Sequence, residues 1–202
     1  MQIDHPAFTV GIFGSKGSGK TTFALRFLAN TPARMRFVFD YEGEFAERLS
    51  LPWIGTPDEF AGAFEDGWLC FNPHRMFPDD EVSAFGFFCE LALKYSRALD
   101  GRKLVVIDEL MRYVSPQKVP KALKDIVWIG RRAGLDGVFL AQQPNQLHNL
   151  IREQLTEIVT FRTFTENSLE TLREFKFDVK EVESLAPHEW IARTKWGRES
   201  RS

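Results

Sequence analysis

Val10-Gly11-Ile12-Phe13-Gly14-Ser15-Lys16-Gly17-Ser18-Gly19-Lys20-Thr21-Thr22 reads as an apolar strand that enters a glycine-rich turn and leaves it as a helix. It carries the pattern G-x-x-x-x-G-K-[ST], with Gly14, Gly19, Lys20 and Thr21 at the fixed positions. Gly14, Gly17 and Gly19 permit backbone conformations closed to other residues and a close approach of chain to ligand. The amides of the run Ser15, Lys16, Gly17, Ser18, Gly19 then converge on phosphate oxygens, and the helix that starts near Gly19 aims its positive end at the same point. In that arrangement Lys20 reaches the β- and γ-phosphates and Thr21 supplies a hydroxyl to Mg²⁺, with Thr22 counted among the nucleotide-binding residues. The expected ligands are ATP and Mg²⁺. The competing reading is a Gly/Ser-rich turn between a strand and a helix.

Outward from this stretch, strands and helices alternate. Residues 7 to 13 are expected as a strand, followed by a helix to about Ala29 that Thr31-Pro32 stops. Met35–Asp40 is a second strand, ending in the polar cluster Asp40-Tyr41-Glu42-Gly43-Glu44. Thr56-Pro57-Asp58-Glu59 has the form of a capping box with Pro at the first helical position. Trp68–Phe71 is a short strand, and Pro78-Asp79-Asp80-Glu81 opens a longer helix whose Ala84, Phe88, Leu91, Tyr95 and Leu99 share a face. The run Lys103 to Glu109 suits a strand buried on both sides of a parallel sheet. Pro116 and Pro120 set up a helix through Arg132 with Gly134 as its cap, and Gly137–Gln142 is the next strand. After it come a helix over Leu147–Gln154, a strand over Glu157–Arg162, and helices over Glu166–Phe175 and Val179–Leu185. Trp190–Arg193 reads as an edge strand and Gly197–Ser202 as a frayed tail. This alternation predicts a parallel, right-handed α/β sheet.

Composition limits the options. A chain of 202 residues with 44% apolar content suits a single domain over 1–202, with a core at about 7–165 and C-terminal helices and an edge strand at about 166–195. The net charge of -2, with charges well mixed, argues against a strongly basic coat for nucleic acid but not against a basic pore built by several subunits. Cys70 and Cys89 sit in apolar surroundings and read as reduced core residues of a cytosolic protein. His5, His74, His148 and His188 lack ligand spacing and are assigned surface or cap roles. The start, Met1 to Pro6, lacks the regions of a signal peptide, and Ala84–Leu93 is too short to span a bilayer.

A second chemical signal is Leu104-Val105-Val106-Ile107-Asp108-Glu109. In phosphate-loop NTPases the neighbouring strand ends in an Asp that orders the Mg²⁺ shell, a role that suits Asp108. Glu109 beside it is placed to act as general base on the water that attacks the γ-phosphate. Small-molecule kinases need no such base, so consecutive carboxylates favour hydrolysis over transfer to an acceptor.

Together with these motifs, Gly130-Arg131-Arg132-Ala133-Gly134-Leu135, the strand after it and Ala141-Gln142-Gln143-Pro144 resemble the FtsK/HerA superfamily of DNA-pumping ATPases. The cluster Phe39 to Glu44 is similar to that superfamily's D-x-x-G-E segment, and the resemblance covers most of residues 8 to 165. It implies a RecA-like, ASCE-type P-loop NTPase with a mostly parallel, twisted central sheet flanked by helices on both faces. It implies that Gln142 is a polar sensor of the γ-phosphate. It also implies that Arg131, or alternatively Arg132, is an arginine finger reaching a neighbouring subunit's nucleotide. Ala141 stands where Thr is usual and Gln143 where Arg is common. Arg131 and Arg132 also sit near a helix C-terminus, where the macrodipole alone favours basic residues. Asp40 and Glu44 also fit a solvated strand-end loop. Lys121, Lys124, Trp128 and Arg131 make one helical stripe suited to a subunit interface, a nucleic-acid contact or a solvated face.

Small members of the superfamily include the genome-packaging ATPases of viruses with an internal membrane. The resemblance implies a homo-oligomeric ring, a hexamer, that packs double-stranded DNA into a preformed capsid with capsid or portal-vertex proteins as partners. Its expected place is the host cytoplasm or the virion, with no membrane span of its own. Two readings compete: an ATPase similar to the zonular occludens toxin group of filamentous phages, which carries a membrane-spanning helix after its ATPase domain, and a nucleotide or small-metabolite kinase.

Overall fold

A computed structural model describes residues 8–202. Its centre is a nine-stranded sheet in the order β3-β4-β2-β5-β6-β1-β7-β8-β9. The strands are β1 (Thr9–Phe13), β2 (Met35–Phe39), β3 (Trp53–Ile54), β4 (Trp68–Phe71), β5 (Lys103–Ile107), β6 (Leu135–Ala141), β7 (Glu157–Phe161), β8 (Trp190–Thr194) and β9 (Glu199–Arg201). From β3 to β7 every pairing is parallel, and β8 and β9 add on antiparallel. All of β5 and β6 is buried, as the apolar runs Leu104–Ile107 and Val138–Ala141 require of strands covered on both faces, and Lys103 and Asp136 are buried with them.

Alternate side chains feed two cores. Val10, Ile12, Val38, Val106, Val138 and Leu140 point to one face, with Ala24 and Leu28 of α1 (Lys20–Asn30) and Phe45 and Ala46 of α2 (Glu44–Leu49). Phe13, Phe37, Phe39, Val105, Ile107 and Phe139 point to the other. That face is covered by α3 (Phe60–Asp66), α5 (Glu81–Ala98), α6 (Lys121–Ile129), α7 (Asn149–Gln154), α8 (Glu166–Glu174) and α9 (Val179–Ser184), with α4 (Pro73–Met76) at its margin. Phe39 is the hub there. Its ring lies 5.4 Å from Phe85, 5.2 Å from Phe88, 5.3 Å from Tyr113 and 5.9 Å from Phe71, mostly edge to face. Glycine inside β1 and β6 has a packing reason: a Cβ on Gly11 would meet the Phe13 ring at 2.8 Å, and one on Gly137 the Phe139 ring at 2.9 Å.

Several expected boundaries shift. The expected start of β1 at residue 7 lies outside the described residues, as do Met1–Pro6 and His5. Asp108 and Glu109 follow β5 rather than belong to it, and Glu109 has φ 47° and ψ 43°, the left-handed region. The helix expected through Arg132 ends at Ile129. A 3₁₀ turn over Gly130–Ala133 completes it, and Gly134, at φ 67°, closes it. The capping box is present: the Glu59 carboxylate accepts from the Thr56 amide at 3.1 Å, before a 3₁₀ turn that leads into α3. Residues 197–202 are not a frayed tail. Gly197, at φ 87°, turns the chain back and β9 pairs with β8, so β8 is an interior strand. Among the described residues no helix is long and apolar enough to cross a membrane.

Candidate active site

Because β1, β2, β5, β6 and β7 are parallel, the turns after them open at one edge of the sheet, where open α/β sheets place their ligand crevices. Register fixes the neighbours. Phe13 lies opposite Ala141 on one side and Thr160 on the other, and Phe39 opposite Ile107. Gly14–Gly19 therefore stands between the end of β6, with Gln142, and the end of β7, with Phe161. One strand further out, Asp108 and Glu109 lie beside Asp40.

The loop is tightly folded. A Cβ on Gly14 would sit 2.5 Å from Ser18 Oγ and 2.8 Å from Phe161 Cβ, so only glycine fits. Gly17 and Gly19 have φ 77° and 106°. Ser18 Oγ is buried and, among the described residues, has no hydrogen-bond partner. Lys20 is buried, with Nζ donating to the Ser15 carbonyl at 3.1 Å across the loop. Burial lowers its pKa, against the pull of Glu109, Asp108 and Glu44. A cradle of glycines, an orphaned hydroxyl and a buried lysine spanning the loop fit a polyphosphate.

The acidic side is equally specific. Asp108 is buried and its carboxylate accepts the Glu109 amide at 2.9 Å. Burial pushes its pKa up to about 7; the bond from the Glu109 amide and the Lys20 charge oppose the rise, while the Glu109 and Glu44 carboxylates add to it. A hard divalent cation beside Thr21 and Asp108 would relieve that strain on the carboxylate, so the donor set fits Mg²⁺. Gln142 donates from Nε2 to Glu109 Oε2 at 3.4 Å, a long contact joining the ends of β5 and β6. Thr21 Oγ1 donates to Glu44 Oε2 at 3.1 Å. Glu44 is held by Arg48 at 3.1 Å, whose other nitrogen donates to Thr22 Oγ1 at 2.7 Å. Asp40, fully buried, accepts the amides of Phe45 and Ala46 at 3.2 and 2.8 Å and so fixes the start of α2. The polar cluster after β2 is thus part of the site's wall rather than a solvated loop.

Thr21, Lys20, Asp108, Glu109 and Gln142 come together, with Ser15, Lys16, Gly17, Ser18, Gly19 and Thr22 forming the loop and its exit. Arg131 does not join them. It is exposed in the 3₁₀ turn before β6, beside Asp136 at the opposite end of that strand, with Arg132 next to it. Asp136 is buried, accepts the Phe8 amide at 3.1 Å and pairs with Arg102 at 3.0 Å, while burial pushes its pKa up to about 6. Residues that the local pattern did not single out also reach the loop. His188, at φ 68°, brings Nδ1 within 3.3 Å of the Ser18 carbonyl, and Phe161 and His188 flank Gly19. No spacing marks His188, because the contact spans 170 residues of chain.

No family model matches the chain, and no curated protein matches it in sequence. Solved structures match it in fold. The genome packaging NTPase B204 of Sulfolobus turreted icosahedral virus 2, in complex with AMP, superposes with a TM-score of 0.73 at 17% identity, over 98% of this chain and 97% of that one. EssC (ATPases 2 and 3) of Geobacillus thermodenitrificans gives 0.62 at 15% identity, over 96% of this chain and 39% of that one. The pCW3 conjugation coupling protein TcpA, with ATPγS, gives 0.60 at 14%, over 96% and 59%. These likenesses show the fold, which is that of a RecA-like P-loop NTPase, as the motifs implied.

Proposed function

We propose that the chain is a Mg²⁺-dependent ATPase that drives double-stranded DNA, most simply into a viral capsid, as one subunit of a homo-oligomeric ring. The observation that carries the proposal is the convergence of three strand ends on one point: the loop Gly14–Thr21 after β1, Asp108–Glu109 after β5 and Gln142 after β6. The likeness to the B204 genome packaging NTPase over nearly the whole of both chains supports the choice of motor.

Each residue has a task. The loop amides and Lys20 bind and orient the β- and γ-phosphates, and Lys20 offsets charge that grows on the leaving oxygens. Thr21 and Asp108 would hold Mg²⁺, which would supply positive charge to offset that of the phosphates. Glu109 accepts the proton of the attacking water, and Gln142, on the same carboxylate, orients that water. Glu44 holds the Thr21 hydroxyl. Arg131 lies beyond the far end of β6 from Gln142, which supports a role on a neighbour's nucleotide rather than its own. A ring gathers positive side chains around a polyanion even though one chain carries only a slight net negative charge.

The test is phosphate release with and without double-stranded DNA, alongside the sedimentation of the chain with nucleotide. Mg²⁺-dependent hydrolysis that rises with DNA and coincides with a ring-sized species supports the motor. Turnover that needs a small acceptor and ignores DNA overturns it in favour of a kinase.

A further inference from the structure

The catalytic groups lie on one side of β1, and this determines where the rest of the nucleotide must go. Asp108, Glu109 and Gln142 follow β5 and β6, so the γ-phosphate faces that side. The nucleoside then leaves past the start of α1 on the opposite side, toward β7 and β8. A cavity of about 700 Å³ opens there, between the outer face of α1 and the segment leading into β8.

Its walls are aromatic. Phe23 of α1 meets the Trp190 ring at 4.9 Å and 69°, and meets the Phe161 ring at 6.4 Å and 87°. Phe27 continues the wall, stacked on Phe23 at 6.4 Å. His188 stands at the mouth, its ring against the Ser18 carbonyl, so the cavity is continuous with the phosphate loop. Three of the polar side chains along it are engaged elsewhere, while exposed Arg26 also lines it. Thr22 Oγ1 accepts from Arg48 at 2.7 Å, while Asn30 and Thr31 donate to carbonyls of α1 at 2.9 and 2.7 Å. Flat apolar walls with few free donors or acceptors bind a ring by its face and read its edge poorly.

We infer that this cavity seats the base of the nucleotide by stacking against Trp190 and Phe23, and that the site takes purine triphosphates with little regard for a 6-amino or 6-oxo group. The inference rests on the reading of Gly14–Thr21 as a triphosphate site, and the test separates the two. The wild-type chain and Trp190→Leu are titrated with β,γ-methylene analogues of ATP, GTP and CTP and with inorganic tripolyphosphate. The wild type should bind the two purine analogues within about threefold of each other and the CTP analogue more weakly, since stacking follows ring area. Trp190→Leu should lose about tenfold for the purine analogues and nothing for tripolyphosphate, whose binding also reports a folded loop.

Equal affinity of variant and wild type for the ATP analogue, or a hundredfold preference of the wild type for ATP over GTP, overturns the base site alone. Failure of the wild type to bind tripolyphosphate overturns the triphosphate reading and the base site with it. A second measurement needs no variant: 8-azido-ATP should photolabel peptides holding Phe23 or residues 186–190, and label confined to other peptides overturns the inference.

Discussion

Asp108 is the group whose removal should stabilise the protein while disabling it. In the folded chain its carboxyl is buried and has a pKa of about 7 against an ordinary 3.8. A raised folded-state value means that the folded chain holds the proton more tightly than the unfolded chain does. The stability penalty of the carboxylate is therefore absent below pH 4, grows between pH 4 and 7, and is complete above pH 7. At 1.36 kcal/mol per pH unit, that displacement corresponds to about 4 kcal/mol. Asparagine removes the charge but also the attraction to Lys20, so about half of it, about 2 kcal/mol, should appear as a gain in Asp108→Asn at pH 8. For a chain of this length that is an increase of about 4 to 8 °C in the unfolding midpoint. The assay is thermal unfolding of wild type and variant with a chelator and no nucleotide, at pH 4 and pH 8. A gain at pH 8 that vanishes at pH 4 is the expected pattern. An equal offset at both values, or a variant less stable at pH 8, refutes the reasoning.

Three further outcomes are expected. Glu109→Gln should bind ATP with wild-type affinity and release phosphate about 10² to 10⁴ times more slowly, measured by single-turnover hydrolysis; undiminished turnover removes Glu109 as base. Arg131→Ala mixed with Lys20→Ala should recover part of the activity that each lacks alone if Arg131 acts across an interface, and no recovery at any ratio counts against it. Phe39→Ala, which empties the centre of the ring cluster on β2, should cost about 3 to 5 kcal/mol in urea unfolding; a loss below 1 kcal/mol would show that α5 is held by other contacts.

The sequence revealed most where a local pattern carries the physics. Gly14-x-x-x-x-Gly19-Lys20-Thr21 announces a turn that only glycine can make, and the unbroken run Lys103–Ile107 announces a strand covered on both faces. The short elements gave weaker signals. α2 has six residues and begins behind a buried Asp40 whose bonds to Phe45 and Ala46 replace any cap signal. β3 and β9 have two and three residues, too few for a period of two to register. β9 also owes its existence to pairing with β8, a tertiary effect that outweighs the charged composition of Glu199-Ser200-Arg201. Glu44 on Thr21 and His188 on Ser18 join segments 23 and 170 residues apart, and no local pattern encodes either contact.

β6 sets a length scale for any assembly. It is seven residues long and buried throughout, about 23 Å at the rise of a parallel strand, with Gln142 just past one end and Arg131 just before the other. A strand bonded on both sides neither stretches nor slides, so it acts as a ruler. If both ends attend to nucleotides at once, one subunit's own ATP and the ATP it completes next door are about a strand's length apart. The subunit-to-subunit step of the ring is then dictated by the core of a single chain, and a substitution deep in that strand would be felt as misalignment between neighbours.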